Sequence, residues 1–404
     1  MRKGILTVFG LQGLGFSLRE WQIVDGSIIL KLRDENPAVC PRCRQQSQNL
    51  YQRGPWRKIY HGFGFGRRVY LLLRKDRYFC RACGRAFSKL TPLVSPWQRR
   101  TEEAERQIMG SLRGRSFRSL AQKEGISYGV SRRILMRRVD PEKLLWREKP
   151  PRELALGIDD HSFRGPKLVH TITDLSAHSP LTILPDSRQQ TLHRFLNSMP
   201  EQQKQQVREV CIDMDRLLLR AVEKTLPQAN VVVDHFHLIH DANHRLDEAR
   251  KIEQEGSKVE IPRKLFLMGK EKLKPAQKRK VEAWCQKYPS LKEFYWMKEA
   301  LRSFYKLKDK KTAARRLKDL IQMALHSDDG AMMHWGRMLQ RWERYILNYF
   351  DRRTTNAYTE GIHTKIKMIK RVSFGFRNVQ VYIRKVLLCL FPLATILSLP
   401  HFLS

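Results

Sequence analysis

The chain has 404 residues and carries 77 Lys plus Arg against 40 Asp plus Glu, a formal net charge of +37. That length leaves room for two or three domains with their own cores, and so large an excess of cations points to a polyanion, nucleic acid first. Basic residues run along the whole chain, which argues against a juxtamembrane block. Seven cysteines, an odd number, argue against a secreted disulfide framework and for a reducing cytoplasm.

The opening MRKGILTVFGLQG has only a short apolar run broken by glycines and does not read as a signal peptide. CPRC at 40–43 and CRAC at 80–83 are two knuckles, and Cys40, Cys43, Cys80 and Cys83 can close a tetrahedral four-cysteine zinc site. Four protein ligands leave no open position, so the expected ion is structural. The intervening KIYHGFGFGRRVYLLLRKDRYF reads as a hairpin that brings the knuckles together. Residues 36–100 hold fifteen basic residues and one acid, Asp76, a composition suited to lying on DNA. FRSLAQKEGISYGVSRRILMRR (117–138) reads as a helix-turn-helix, with the turn at Gly125 and an N-cap at Ser127. Tyr128, Gly129, Ser131 and Arg132 would lie near its groove-facing start. Arg132, Arg133, Arg137 and Arg138 add charge suited to DNA. WREKPPREL (146–154) is a linker rich in proline and charge.

Beyond it the pattern turns to short apolar strands: 154–160, 168–175 and 180–186, then a helical stretch, a strand at 207–213, a helix, and a strand at 230–234. Three strands, helix, strand, helix, strand is the order of an RNase H-like fold. Asp159 and Asp213 end the first and fourth strands, which are neighbours in that topology, so their carboxylates meet. A close carboxylate pair suits Mg²⁺. Spacing alone leaves Asp160 and Asp215 as competitors. In DHFHLIH (234–240) the three histidines are not spaced to point one way, so a structural or DNA-contacting role ranks above a zinc cluster there. Residues from about 241 to 355 read as a helical insertion, with Trp335, Met338, Leu339, Trp342 and Ile346 as a core stripe. In NAYTEGIHTKIKMIKR (356–371) Glu360 is the one acid among seven cations between Arg352 and Arg377. Ile362, Ile366 and Ile369 share one side of that helix, while Glu360, Thr364, Lys367 and Arg371 share another. A carboxylate stacked on two cations suits a metal ion with phosphates beside it. The apolar stretch 386–399, broken by Pro392, is too short for a comfortable membrane span and reads as a buried helix closing the last domain.

LGIDDHSFRG, CIDM, VVVDHFHLIHDANHRLD and NAYTEGIHTKIKMIKRVSFGFRN, with the CPRC/CRAC module and the helix-turn-helix before them, resemble bacterial insertion-sequence transposases of the ISL3 type over nearly the whole chain. The resemblance implies a multidomain α+β protein: a four-cysteine zinc module at 1–100, a helix-turn-helix at 101–148, and an RNase H-like DDE domain at 149–404 with its helical insertion. It implies Asp159, Asp213 and Glu360 as a catalytic triad holding two Mg²⁺ (or Mn²⁺), with Asp234 and His237 as an accessory D-x-x-H feature. At position 160 the family usually carries Glu, so the choice within the Asp159–Asp160 pair stays open. Lys367 and Arg371 would hold backbone phosphates beside the scissile one. The implied activity is cleavage of element ends and their transfer to target DNA, by a cytoplasmic, nucleoid-associated protein that pairs two ends as a homodimer. A catalytically inactive DNA-binding regulator and an RNase H-like nuclease without strand transfer are the competing readings.

Overall fold

The computed structural model describes residues 2–95, 97–145 and 152–398, so most of the expected linker (146–151) lies outside the described residues. Two compact units emerge: Met1–Leu144 with Met368–Ser404, and Leu145–Lys367.

In the first unit, strands Phe16–Val24, Ser27–Asp34, Arg67–Arg74 and Trp56–Gly64 form one sheet in that spatial order. Its core is Leu18, Leu30, Leu32, Ile59, Val69 and Leu71. Asp25-Gly26 and Phe65-Gly66 turn its two hairpins with positive φ, the geometry that matches strand twist. The predicted hairpin at 58–79 is therefore present, but its first two strands belong to this sheet. The knuckles are joined instead by a separate three-stranded sheet, Leu50–Gln52, Arg77–Cys80 and Arg85–Ser88.

Helices Glu102–Arg113, Phe117–Glu124 and Tyr128–Arg138 follow. Thr101, Ser116 and Ser127 cap them, each side chain accepting from the amide three residues on. Gly125, at φ 64°, closes the middle helix in the left-handed conformation a Cβ disfavours. Ile134 and Leu120 are fully buried, whereas Ala121 and Val130 are only half-buried. The apolar tail forms helices Val379–Leu390 and Leu393–Leu397, and these pack against this three-helix set. Met368 onward thus groups with the N-terminal unit, and not with the α/β core to which sequence order assigned it. Apolar burial recognises a partner surface, not chain proximity. No described helix is long and apolar enough to cross a membrane.

The second unit is built on a five-stranded mixed sheet, in the order Ser179–Ile183, Lys167–Asp174, Leu154–Arg164, Val207–Ile212, Asn230–Val233. Each of the first three strands runs antiparallel to its neighbour, and the last two run parallel to Leu154–Arg164. NVVV has the continuous apolar run expected of a strand covered on both faces. Helices Gln189–Asn197 and Arg216–Thr225 bury Leu192, Phe195 and Val222 against Leu156, Ile158 and Val210. The helical insertion starts at His235, immediately after the last strand. It builds its own core from Phe294, Leu301, Phe304, Trp335, Leu339, Trp342 and Ile346. Trp335 stacks on Phe294 with ring centroids 6.0 Å apart, so the aromatic stripe is packing and not a surface platform.

Candidate functional site

The two central strands of the second unit pair only up to Gly157 and Cys211, then separate. Asp159 and Asp213 stand two residues beyond that last pair, Asp159 within its strand and Asp213 just past the end of Val207–Ile212, so the alternation of the strands puts both on one face. The strand that carries Asp159 runs on to Arg164, because its hairpin partner continues after the parallel neighbour has ended.

Helix Ala357–Val372 is seated across the gap by the residue before it. Asn356 is fully buried, and its Nδ2 donates to the carbonyls of Ile158 at 3.2 Å and Cys211 at 3.5 Å, one from each diverging strand. The Thr359 and Thr173 hydroxyls meet at 2.7 Å. Gly157 permits this approach: a Cβ there would lie 2.5 Å from Asn356 Oδ1 and 2.6 Å from both threonine hydroxyls. Docked in this way, the helix turns Glu360 toward the two aspartates.

His237, in the first turn of the long helix His235–Ser257, completes the cluster. Its Nε2 is 3.1 Å from Asp213 Oδ1, 3.6 Å from Glu360 Oε1 and 4.0 Å from Asp234 Oδ2. The shortest of these approaches lacks hydrogen-bond alignment, so Asp213 Oδ1, Asp234 Oδ2 and His237 Nε2 are all buried without a hydrogen-bond partner. Two donor sets result, Asp159–Asp213–His237 and Asp234–His237–Glu360, each with its ligand atoms within 4.8 Å of one another. Burial first, and then the charges of Glu360, Asp160 and Asp234, push the Asp159 carboxyl up to about 7 against the pull of the Asp160 amide. Burial and the charges of Asp159, Asp234, Asp160 and Glu360 push Asp213 up to about 8. Burial lowers His237 and so favours the neutral imidazole that can ligate a metal. Carboxylates this crowded, with orphaned donor atoms facing one another, fit a divalent cation.

The competing acids are occupied elsewhere. Asp160 faces the other side of its strand and bonds His170. Asp215 caps helix Arg216–Thr225, accepting from Leu217 N at 2.6 Å and Leu218 N at 3.3 Å. Of the three neighbouring histidines only His237 enters the cluster: His235 packs on Tyr305 and Tyr349, and His240 stacks on Phe236. Sequence reasoning missed His363, one turn after Glu360. Its Nδ1 lies 3.4 Å from Asp159 Oδ2, and its Nε2 lies 2.9 Å from Thr171 Oγ1, which in turn bonds His161. Burial, with Lys367 and His237, holds this imidazole down to about 4. Its helical spacing from Glu360 was the available signal. Thr364 and Lys367 are exposed on the Glu360 side of the helix, and Arg371 is exposed further along it.

In the first unit the four cysteine sulfurs lie within 4.8 Å of one another, Cys43 and Cys80 at 3.5 Å. Tetrahedral zinc with bonds of about 2.3 Å has sulfur–sulfur edges of about 3.8 Å, so the cage has the right size. Both knuckles close alike, with Arg44 N donating to Cys40 O and Gly84 N to Cys80 O, each at 2.9 Å and each with positive φ. Tyr128, Arg132 and Arg133 are exposed at the start of their helix. Ser131 is not, contrary to its expected place at the groove. It is fully buried, and its hydroxyl donates to the carbonyls of Tyr128 and Ser127. Arg138 is likewise withdrawn, paired with buried Glu105 at 2.6 Å, and Arg137 reaches the same carboxylate.

Comparison with known proteins defines the class. The family model of ISL3-type DDE transposases, described as transposase, matches residues 156–386, more than half of the chain, and the protein belongs to that family. A second model, described as the zinc-finger of transposase IS204/IS1001/IS1096/IS1165, matches residues 36–83 and so spans all four cysteines. Among particular proteins, the chain is similar to the transposase for insertion sequence element IS1001 of Bordetella parapertussis. The two are 21% identical over 401 residues, covering 95% of this chain and 97% of the relative.

Proposed function

We propose that this transposase binds the ends of its insertion sequence and carries out metal-dependent strand cleavage and strand transfer, with Asp159, Asp213 and Glu360 as the catalytic carboxylates. The observation that carries this reading is their convergence in one cleft from two strands and a distant helix, beside buried donor atoms that have no hydrogen-bond partner. The strand order, with three antiparallel strands and two parallel ones, supports an RNase H-like core.

In cleavage a water oxygen attacks the scissile phosphorus and the bond to the 3′-oxygen breaks, leaving a 3′-hydroxyl. In joining, that hydroxyl attacks a target phosphodiester and displaces its 3′-oxygen. Two divalent ions, when bound, supply activation of the attacking oxygen and stabilisation of the leaving one. Asp159, Asp213 and Glu360 hold them, and His363 holds Asp159 in place. Lys367 and Arg371 bind the backbone phosphates.

In the first unit the four-cysteine cluster takes a structural zinc, and the capped helix pair is a helix-turn-helix that reads the element end through Tyr128, Arg132 and Arg133. Pairing of two ends calls for two copies of the chain. The test is cleavage of DNA carrying the element's own ends in Mg²⁺ or Mn²⁺. Asp159→Asn, Asp213→Asn and Glu360→Gln should each abolish cutting while end binding persists, and cutting that survives all three substitutions would refute the assignment.

A further inference from the structure

The cleft contains more acid than a triad needs. Asp234 occupies the N-cap position of helix His235–Ser257, yet its side chain makes no capping bond. Asp215, Asp309 and Asp329 stand at the same position of other helices in this unit, and each accepts from one or two amides of the first turn. Capping is what an aspartate at that place ordinarily does, and it stabilises the helix start. Asp234 forgoes it. The side chain is 1% exposed, with Oδ1 accepting weakly from Asn356 N at 3.4 Å and Oδ2 without a hydrogen-bond partner. That oxygen faces His237 Nε2 at 4.0 Å, a nitrogen with no hydrogen-bond partner that also lies 3.6 Å from Glu360 Oε1 and 3.1 Å from Asp213 Oδ1. A buried carboxylate without hydrogen bonds is strongly disfavoured unless a cation meets it.

We propose that Asp234 and His237 are metal ligands which, with Glu360, form a second donor set, while Asp159 and Asp213 form the first. The inference rests on the reading of this cleft as a divalent-cation site and adds two ligands to it. One imidazole nitrogen serves one ion, so His237 belongs to a single set. Asp159 with Asp213 already offers the pair of carboxylates that Mg²⁺ commonly takes from protein. The formal charges agree: four carboxylates (Asp159, Asp213, Asp234 and Glu360) balance two divalent ions. The mixed nitrogen and oxygen donors make the Asp234–His237–Glu360 set favour Mn²⁺ over Mg²⁺, because imidazole suits the later metal better than the harder one.

The experiment titrates the full-length protein with Mn²⁺ alone, counting bound ions by the loss of the free-ion electron paramagnetic resonance signal. Pulsed measurements on the bound ions then detect coupling to imidazole nitrogen. The wild type should bind two ions, one of them coupled to nitrogen. His237→Ala should lose the coupling and weaken one site by about tenfold or more. Asp234→Asn should weaken that same site and leave the other within about twofold. Circular dichroism and melting of His237→Gln, which keeps a polar side chain there, guard against misfolding as the cause. Two ions bound with no nitrogen coupling, or unchanged binding by His237→Ala and Asp234→Asn, would overturn the second set and leave the triad standing. A wild type that binds no Mn²⁺ would overturn the cation reading of the whole cleft.

Discussion

Among the described residues two clusters of side chains could hold metal ions, and they are built on opposite principles. The cysteines come from two knuckles in residues 40–83, closed by identical local turns, and their four sulfurs can fill a tetrahedral coordination sphere. The acidic cluster draws on positions from 159 to 360, is assembled by strand pairing and helix docking, and leaves donor atoms unsatisfied. A closed sphere can only hold structure together, whereas an incomplete one has places for substrate oxygens. If that contrast is right, removing a ligand from the first cluster should cost folding, and removing one from the second should cost chemistry.

The largest effect is expected at the zinc module. Cys80→Ser should remove an amount on the order of 10 kcal/mol of metal-linked folding energy from it and abolish end binding. Zinc analysis and a two-transition melt check this, the second unit melting as in the wild type. Next come the acids. Asp159→Asn, Asp213→Asn and Glu360→Gln should each lower single-turnover cleavage by about a thousandfold or more, with losses that are alike and not additive. Asp215→Ala should cost only a helix cap, about 1 kcal/mol in the melt, and keep substantial cleavage.

A smaller effect concerns pH. Without divalent ions the folded Asp159 and Asp213 carboxyls titrate at about 7 and about 8, above the ordinary 3.8. The folded state therefore binds more protons than the unfolded one across that window. The resulting stability is complete below about pH 4 and is lost as pH rises through 7 to 8. Melting of the second unit in chelator should fall over this range, Asp159→Asn should flatten the slope, and saturating Mn²⁺ should remove it. The smallest change is expected on the DNA side. Arg132→Ala should relax preference for the element end over random duplex by roughly 1–3 kcal/mol. Equal loss on both duplexes would make Arg132 a phosphate contact.

What could be seen in the sequence follows the same division. CxxC knuckles are local, and a knuckle's chemistry is written in four residues. The five core strands were legible because short apolar runs ended at turns, and the pairing of the first and fourth brought Asp159 and Asp213 together as expected. Glu360 stood out as one acid among cations. The hidden parts depend on three-dimensional approach. The roles of Asn356, Thr359 and Gly157 exist only because a helix lands on two diverging strands. Ser131 looked groove-facing by position, but helical phase turned it inward. The tail after Met368 found its apolar partner among the N-terminal helices, which no reading of periodicity alone could show.

The central claim is that Glu360 joins Asp159 and Asp213 in doing chemistry on DNA, and one paired assay tests it most directly. Wild type and Glu360→Gln are incubated with a labelled duplex carrying the element's end in Mg²⁺, with binding and strand cleavage read from the same samples. The account predicts equal binding by both proteins, within about twofold, and 3′-hydroxyl products from the wild type alone. Cleavage by Glu360→Gln at the wild-type rate would contradict it.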